Sequence, residues 1–485
     1  MTDFDSVRAP LSFLKSRLNI IEHPDLLEGE QRWWKTDGLA ISKAIDRAGT
    51  PWVRMFDRAG KRVDEILYPP EYQTILRKGY RSGVVWRAFE EKSLIPTYLL
   101  TYAISFYDPG ICYPYTVSLG TAVPLSKYGT AELRARFFPE LLRKDDSVWQ
   151  GATWMTEIEG GSDLGAGVKT VARRAADGWL LTGDKYFASN AFAELAVVAA
   201  RPEGAASGVR GLALFLVPRY RKDGSLNYFI RRLKDKIATR SVPTGEIELR
   251  DSEGYLLGPA DSGIYLILEV LNLSRVANAV VSVALAQRAI AEALDYAECR
   301  TAFRKHIIEH PLLQHQFKIR LRDLRSAFAL AWESVQLLNQ VWTEQPPYSD
   351  RYHLFRLVAH LAKYWTAEFA VDTAKWAMEV HGGLGVLAEQ GVERWFREAM
   401  ILAIWEGTSH RQILDGLEVM ERKQAHKMLF AQLAEIATAE ELRHMETEVQ
   451  QLLGLPVEQK ETQAEAVFRR LAAFTADKLS LTYPR

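Results

Sequence analysis

Cysteine is scarce in this chain: 485 residues contain two, Cys112 and Cys299. Neither lies in a CxxC pair, so no disulfide framework is expected, and no metal site. Both read as small, partly buried residues. A net charge is missing as well. Lys plus Arg and Asp plus Glu number 61 each, which gives no global pull toward DNA or an acidic membrane. Any polyanion site must then be a local patch. The opening Met1-Thr-Asp-Phe-Asp-Ser lacks a basic start followed by an apolar core, so no secretory leader is expected. A long unbroken apolar run is absent too. The most apolar stretch, 263–294, is interrupted by Glu269, Asn272, Arg275, Asn278 and Gln287. It reads as a buried helix and not as a membrane span. A cytoplasmic protein is the default expectation.

What remains is ordinary globular composition, with 25% charged and 48% hydrophobic residues. The length suits one large domain or several smaller ones. Four zones are expected, making an α+β chain. Residues 1–146 carry helical spacing in their latter half, with Thr130 as a helix cap and a short hairpin over 51–64. Residues 147–260 hold short apolar runs separated by Gly, Asp and Pro turns, as in a small β-domain. Residues 261–420 return to helical spacing. Four long helices fit there: 263–300, 312–344, 352–381 and 408–431, with Pro346-Pro347 and Gly382-Gly383 as breaks. Residues 421–485 add a helical extension.

Five motifs carry candidate chemistry. Met155-Thr-Glu-Ile-Glu-Gly-Gly-Ser-Asp163 opens the β zone. Its small residues let backbone amides approach a ligand, and the hydroxyls of Thr156 and Ser162 suit a ring edge or a phosphate. Taken alone, the motif reads better as a Gly-rich turn capped by Asp163. In Lys185-Tyr-Phe-Ala-Ser-Asn190, Phe187 suits one face of a planar ring and Ser189 its edge, although an ordinary strand has the same pattern. In Tyr296-x-x-x-Arg300-x-x-Phe303, Arg300 suits a pyrophosphate and Phe303 an adenine face, or they are a solvated Arg and a core Phe. His381-Gly-Gly-Leu-Gly385 follows a helical pattern, which fails the dinucleotide-fingerprint context, and no Gly-x-Ser-x-Gly elbow accompanies it. A helix C-cap remains. Finally, Ile404-Trp-Glu-Gly-Thr-Ser409 precedes a helix expected to start near Thr408. There Glu406 either caps that helix or is presented by Gly407 to a cleft. A basic run from Arg219 to Arg240 reads as an exposed charged hairpin or as a phosphate site.

In this order and at these separations, the motifs resemble the acyl-CoA dehydrogenase family over roughly residues 94–420. The resemblance implies an N-terminal helical domain, a middle β-barrel-like domain and a C-terminal four-helix bundle. It also implies FAD as cofactor. Met155, Thr156, Gly161 and Ser162 match a loop that touches the flavin and, through Ser162, the substrate. Phe187, Ala188 and Ser189 match positions beside the isoalloxazine. Arg300 and Phe303 match residues reaching the cofactor's diphosphate and adenosine. Gly382 and Gly383, with Glu379 before them, match contacts to FAD across a subunit interface. Thr408 and His410 fall at further cofactor positions. Glu406 matches the catalytic base, flanked by Trp405 and Gly407 at the substrate, and Arg275 aligns with an Arg near the thioester. Several positions depart from the pattern: Phe187 for Trp, Trp405 for Tyr, Arg304 and Ala238 for Gly, and Glu379 and His410 for Gln.

The activity so implied is α,β-desaturation of an acyl-CoA, with Glu406 removing the α-proton and the β-hydride passing to flavin N5. Desolvation in an apolar cleft would raise the pKa of that base into a useful range. An electron-transfer flavoprotein as acceptor, a place in fatty acid metabolism and a homotetramer built as a dimer of dimers come with the resemblance. The variant motifs, with 232–236 and 60–65, resemble the branch of the alkylation-response protein AidB. That branch implies an alternative: a flavoprotein acting in the DNA alkylation response with weak or vestigial dehydrogenase activity. The tail 421–485 carries nine basic and ten acidic residues. A duplex-binding module usually has a basic excess, so this balance weakens the reading of DNA as a partner. The oxidase and nitroalkane-oxidising offshoots of the same fold are a third reading.

Overall fold

The computed structural model describes residues 3–484, so Met1 and Thr2 of the leader reading and Arg485 of the tail lie outside the described residues. The chain forms two compact units, neither continuous in sequence: 36–93 with 110–274, and 1–35 with 94–109 and 275–485.

The first unit is built on a sheet of short strands. β1 (Trp52–Phe56) and β2 (Arg62–Leu67) make the expected hairpin, which runs on to Leu67. Asp57 Oδ1 accepts from the N–H groups of Ala59 and Lys61, both at 2.9 Å, which closes its turn. The larger sheet comprises β3 (Gly151–Trp154), β4 (Val171–Ala175), β5 (Gly178–Ser189), β6 (Leu195–Pro202), β7 (Ala213–Pro218), β8 (Phe229–Leu233) and β9 (Thr244–Leu257). β6 pairs with β4, β4 with β5, β5 with β9, β9 with β7, and β7 again with β6, so five strands close a barrel. β3 joins β6 in parallel and β8 joins β9 antiparallel. Closure removes edges that would otherwise expose unpaired amides. Alternate residues fill the interior: Ala196, Val198 and Ala200 from β6, and Ala213, Phe215 and Val217 from β7. Helix Cys112–Tyr128 packs on β3, where Thr121 Oγ1 donates to Ala152 O at 2.9 Å. Its neighbour Ala131–Leu141 starts at Thr130, whose hydroxyl accepts from Leu133 N–H, as the sequence suggests.

The second unit is helical. Its long helices are Pro311–Val341 and Asp350–His381, with residues 275–299 of helix Gly263–Cys299. That last helix contains an 18-residue window of mean hydropathy 1.5, and 89% of the window is buried. This matches the reading as a core helix. The apolar helix Ile95–Ser105 is buried all round, as expected of a core element. Tyr102 donates to Gln287 Oε1 at 2.6 Å, and Gln287 Nε2 donates to Val7 O at 2.8 Å, so this buried polar pair is satisfied.

Two helix expectations need correcting. The helix expected over 408–431 is two, Ser409–Lys423 and Ala425–Leu433, because Gln424 adopts a left-handed conformation with φ 55°. A further helix, Val392–Ile404, lies just before Glu406. The extension continues with Ala439–Leu453 and Val457–Ser480. It docks on the bundle: Ser326 Oγ donates to Asp477 at 2.8 Å, Arg469 Nε donates to Tyr364 Oη at 3.2 Å, and Phe468 meets the Tyr364 ring edge-on.

Candidate active site

Glu406 sits in the turn between helices Val392–Ile404 and Ser409–Lys423. Thr408 caps the second of these, its hydroxyl accepting from Arg411 N–H at 3.4 Å. Capping therefore does not call on the Glu406 carboxylate. Glu406 itself has φ 57° and Gly407 φ 94°. A left-handed conformation costs an L-residue about 1–2 kcal/mol, so a non-glycine held there needs support. Gly407 has a second reason to be glycine: a Cβ would meet Gln412 Nε2 at 2.6 Å.

The support is a buried polar group beneath the turn. Gln412 Nε2 donates to Glu406 O at 3.0 Å and to Gly407 O at 2.9 Å. Lys363 Nζ donates to Gly407 O at 2.7 Å and to Ala403 O at 3.2 Å. Arg275 Nε donates to Glu406 O at 3.4 Å, and its Nη2 pairs with Asp415 at 3.0 Å. His360 Nδ1 meets Gln412 Oε1 at 2.9 Å. Ser409 Oγ donates to Glu368 at 2.5 Å. His360, Lys363 and Gln412 are wholly buried. Burial, helped by the Arg275 charge, brings His360 down to about 3. It brings Lys363 down to about 7, with the Glu406 carboxylate acting the other way. Arg275 thus lies beside the residue expected as base, bonded to its backbone and to Asp415. Glu406, Trp405, Gly407 and Thr408 are half-buried and His410 is exposed.

In the barrel unit, the 155–163 loop and the end of β5 come together. Glu157, inside the first motif, accepts from Lys185 Nζ at 2.6 Å, from Thr170 Oγ1 at 2.6 Å and from Lys169 N–H at 2.7 Å. Lys185, the first residue of the second motif, also donates to Ala199 O at 2.7 Å. Burial opposes ionisation of Glu157, but Lys185 and the other donors outweigh it and hold the carboxyl below its ordinary range. One buried ion pair therefore locks two motifs together, and Tyr186 N–H adds a bond to Thr156 O at 3.0 Å. The β5 register shifts between Lys185 and Ala188. Such a bulge re-aims side chains: Phe187 projects, 54% exposed, with Lys234 Nζ 4.7 Å from its ring centre. Ala188 belongs to the barrel core, so only its backbone can face a ligand. Ser189 is buried and exchanges a 3.0 Å hydrogen bond with Thr244 Oγ1. Met155 is buried and Thr156 half-buried, whereas Gly161 and Ser162 are exposed. Asp163 Oδ1 accepts from Ala166 N–H at 3.1 Å and caps the short helix Leu164–Gly167.

The remaining expected residues lie on the helical unit's surface. Arg300 is exposed at the end of its helix. Phe303, with φ 51°, is 91% exposed in a two-strand turn, and so is not a core residue. Gly382 ends helix Asp350–His381 with φ 57°, and a Cβ on it or on Gly383 would meet nothing within 4 Å. Glu379 pairs with Lys375 at 2.7 Å. The basic run is largely committed to protein partners. Arg219 is buried against Tyr228 O, Arg231 pairs with Asp184 and Glu248, and Arg232 and Lys234 share Glu246.

Sequence reasoning does not find Lys363, His360, Gln412 or the Glu157–Lys185 pair. The signal available for the first two is His-x-x-Lys among the apolar residues of helix Asp350–His381, a spacing that puts both on one face. For the pair, it is a Glu and a Lys each inside a motif chosen for other residues.

Family models match three stretches of the chain. These are the acyl-CoA dehydrogenase C-terminal domain over 261–421, the acyl-CoA dehydrogenase middle domain over 152–252, and the adaptive response protein AidB N-terminal domain over 35–146. The chain is 30% identical over 396 residues to acyl-CoA dehydrogenase family member 11 of Caenorhabditis elegans; the match covers 78% of this chain and 64% of that relative, under two thirds of its length. It is 31% identical over 309 residues to the probable acyl-CoA dehydrogenase YngJ of Bacillus subtilis, covering 63% of this chain and 76% of that one. The solved structure of Caenorhabditis elegans ACDH-11 in complex with C11-CoA superposes with TM-score 0.85 at 23% identity, covering 99% of this chain and 88% of that chain, and shares its fold.

Proposed function

The chain belongs to the acyl-CoA dehydrogenase family, and on that basis we propose that it desaturates an acyl-CoA thioester between Cα and Cβ, with Glu406 as the base. Members of this family are FAD-dependent flavoproteins. The observation that carries the reading is the turn itself: Glu406 is held in a left-handed conformation by donors to the carbonyls around it, while Thr408 does the capping. An α C–H is a weak acid, so its removal needs an oriented base and donors where charge develops on the thioester oxygen. A base on a rigid turn supplies the orientation, and the proton comes to rest on the Glu406 carboxylate.

Each unit, taken by itself, carries residues that suit FAD. Phe187 and Phe303 project exposed rings, Arg300 is an exposed guanidinium suited to a diphosphate, and Gly382 and Gly383 leave room for close approach. Met155, Thr156, Gly161, Ser162 and Ser189 would hold the ring system from the barrel, with Glu157 and Lys185 fixing their backbone. When bound, FAD supplies the two-electron acceptor for the β-hydride. An electron-transfer flavoprotein as onward acceptor, a homo-oligomer and a cytoplasmic place in fatty acid metabolism belong to the same proposal.

The match to an AidB N-terminal domain favours a second reading, a flavoprotein of the alkylation response. Its DNA-binding element is disfavoured by the tail's lack of a basic excess, and several of its cations already have carboxylate partners: Arg422 with Glu418, Lys460 with Glu421, Arg470 with Glu448 and Lys478 with Glu441. Anaerobic mixing of the yellow protein with acyl-CoA esters of graded length, undecanoyl-CoA among them, tests the enzyme reading. Bleaching of the flavin by at least one ester is expected. A flavin left oxidised by every ester contradicts it.

A further inference from the structure

Lys363 is an expensive residue to bury. Its ammonium has no exposure, and a desolvated charge is kept only where fixed partners replace water. Those partners are two main-chain carbonyls on either side of Glu406. Ala403 O belongs to the last turn of helix Val392–Ile404, where carbonyls have no intrahelical donor. Gly407 O lies one residue past Glu406. No other side chain bonds both in the described residues. Lys363 comes from a different helix, Asp350–His381, so it ties the turn to the body of the bundle.

We propose that Lys363 is a positioning residue for Glu406: by fastening the carbonyls of Ala403 and Gly407 to one nitrogen, it fixes the backbone shape that presents the carboxylate. The inference rests on the reading of Glu406 as base. An ammonium suits the task because it offers three donors from one point, whereas an amide or hydroxyl offers fewer. Gln412 complements it by holding Glu406 O and Gly407 O from the following helix. The charged groups facing Lys363 are Glu406 from the turn, Arg275 from helix Gly263–Cys299 and Glu368 from its own helix. Asp415 pairs with Arg275 behind them, and Arg411 joins the same carboxylate. A positive nitrogen beside Glu406 also favours the ionised carboxylate over the neutral acid.

The test compares Lys363→Met, Lys363→Gln and Glu406→Gln with the wild-type holoenzyme by rapid mixing with a bleaching acyl-CoA, from acid to alkaline pH. Lys363→Met should keep its FAD and its half-saturating ester concentration within about threefold. Its limiting bleaching rate should fall by roughly 100-fold, the scale of a misplaced reacting group. The acid limb of its rate profile should move to higher pH, because a cation beside the base is gone. A merely structural role would not move that limb. Lys363→Gln, which retains a donor without the charge, should recover part of the rate but not the position of the limb. If Lys363→Met loses FAD, Lys363→Gln decides by the same limb. A limiting rate within threefold of wild type, or an unmoved acid limb, overturns the proposal. Should Glu406→Gln bleach at the wild-type rate, the assignment of the base fails instead. An inert Glu406→Gln beside wild-type-like Lys363 variants leaves the base intact and removes Lys363 alone.

Discussion

At the scale of single residues, His360 shows how hydrogen-bond accounting fixes a protonation state. Gln412 spends its amide donors on Glu406 O and Gly407 O, so its Oε1 must accept, and His360 Nδ1–H must donate to it. His360 Nε2 is then a lone pair, buried without a hydrogen-bond partner. Protonation there would put an unsatisfied cation beside Arg275, which agrees with a pKa lowered to about 3. The sign of the pH effect follows. In the unfolded chain the imidazole takes up a proton as pH falls below about 6.5, whereas the folded form does not. The stability linked to His360 is thus complete above that pH and is lost as pH falls toward 3. At pH 5 the loss is roughly 2 kcal/mol. His360→Asn keeps a donor at that place without titrating. Its thermal midpoint should fall less than that of the wild type between pH 7 and pH 5; equal falls would show that His360 is not the titrating group.

Among elements, the legible ones were those with local signals. The Thr130 cap, the hairpin after Pro51, the strands around Leu195 and Leu212 and the three longest helices all carry apolar periodicity or a capping residue. β9, the longest strand, carries such a signal only over Glu246-Ile-Glu-Leu-Arg250, where Ile247 and Leu249 alternate with charged residues and enter the barrel core. The Asp251-Ser-Glu-Gly254 that follows has no such pattern, and the full length of the strand is fixed by pairing with β5, β7 and β8. The break at Gln424 has no Gly or Pro to announce it; Gln424 Nε2 supports it by donating to Glu421 O at 3.0 Å. Beyond that break the extension is held by close packing. A Cβ on Gly416 would lie 2.4 Å from Phe468 Cε2. Gly416→Val should therefore push helix Val457–Ser480 outward at a cost of about 1–3 kcal/mol. Limited proteolysis should cut the 434–438 connection sooner in the variant; an unchanged cutting rate would mean that the contact does not hold the extension.

Over the whole molecule, the order of helices, barrel and helices was readable because the apolar period changes along the chain. The grouping into units was not. Residues 94–109 fall with the C-terminal helices and 110–141 with the barrel. A helix apolar on every face, such as Ile95–Ser105, says that it is buried without saying against what. The site follows the same rule. Glu406, Phe187 and Arg300 are proposed from motifs in the sequence, whereas Lys363, His360 and Lys185 come into view only through partners distant in sequence.

Glu406 as the base is tested most directly by one comparison. Wild-type protein and Glu406→Gln, both loaded with FAD, are mixed anaerobically with an acyl-CoA that bleaches the wild type. Glu406→Gln should hold its flavin and bind the ester, yet remain yellow. Bleaching of Glu406→Gln at the wild-type rate would contradict the account.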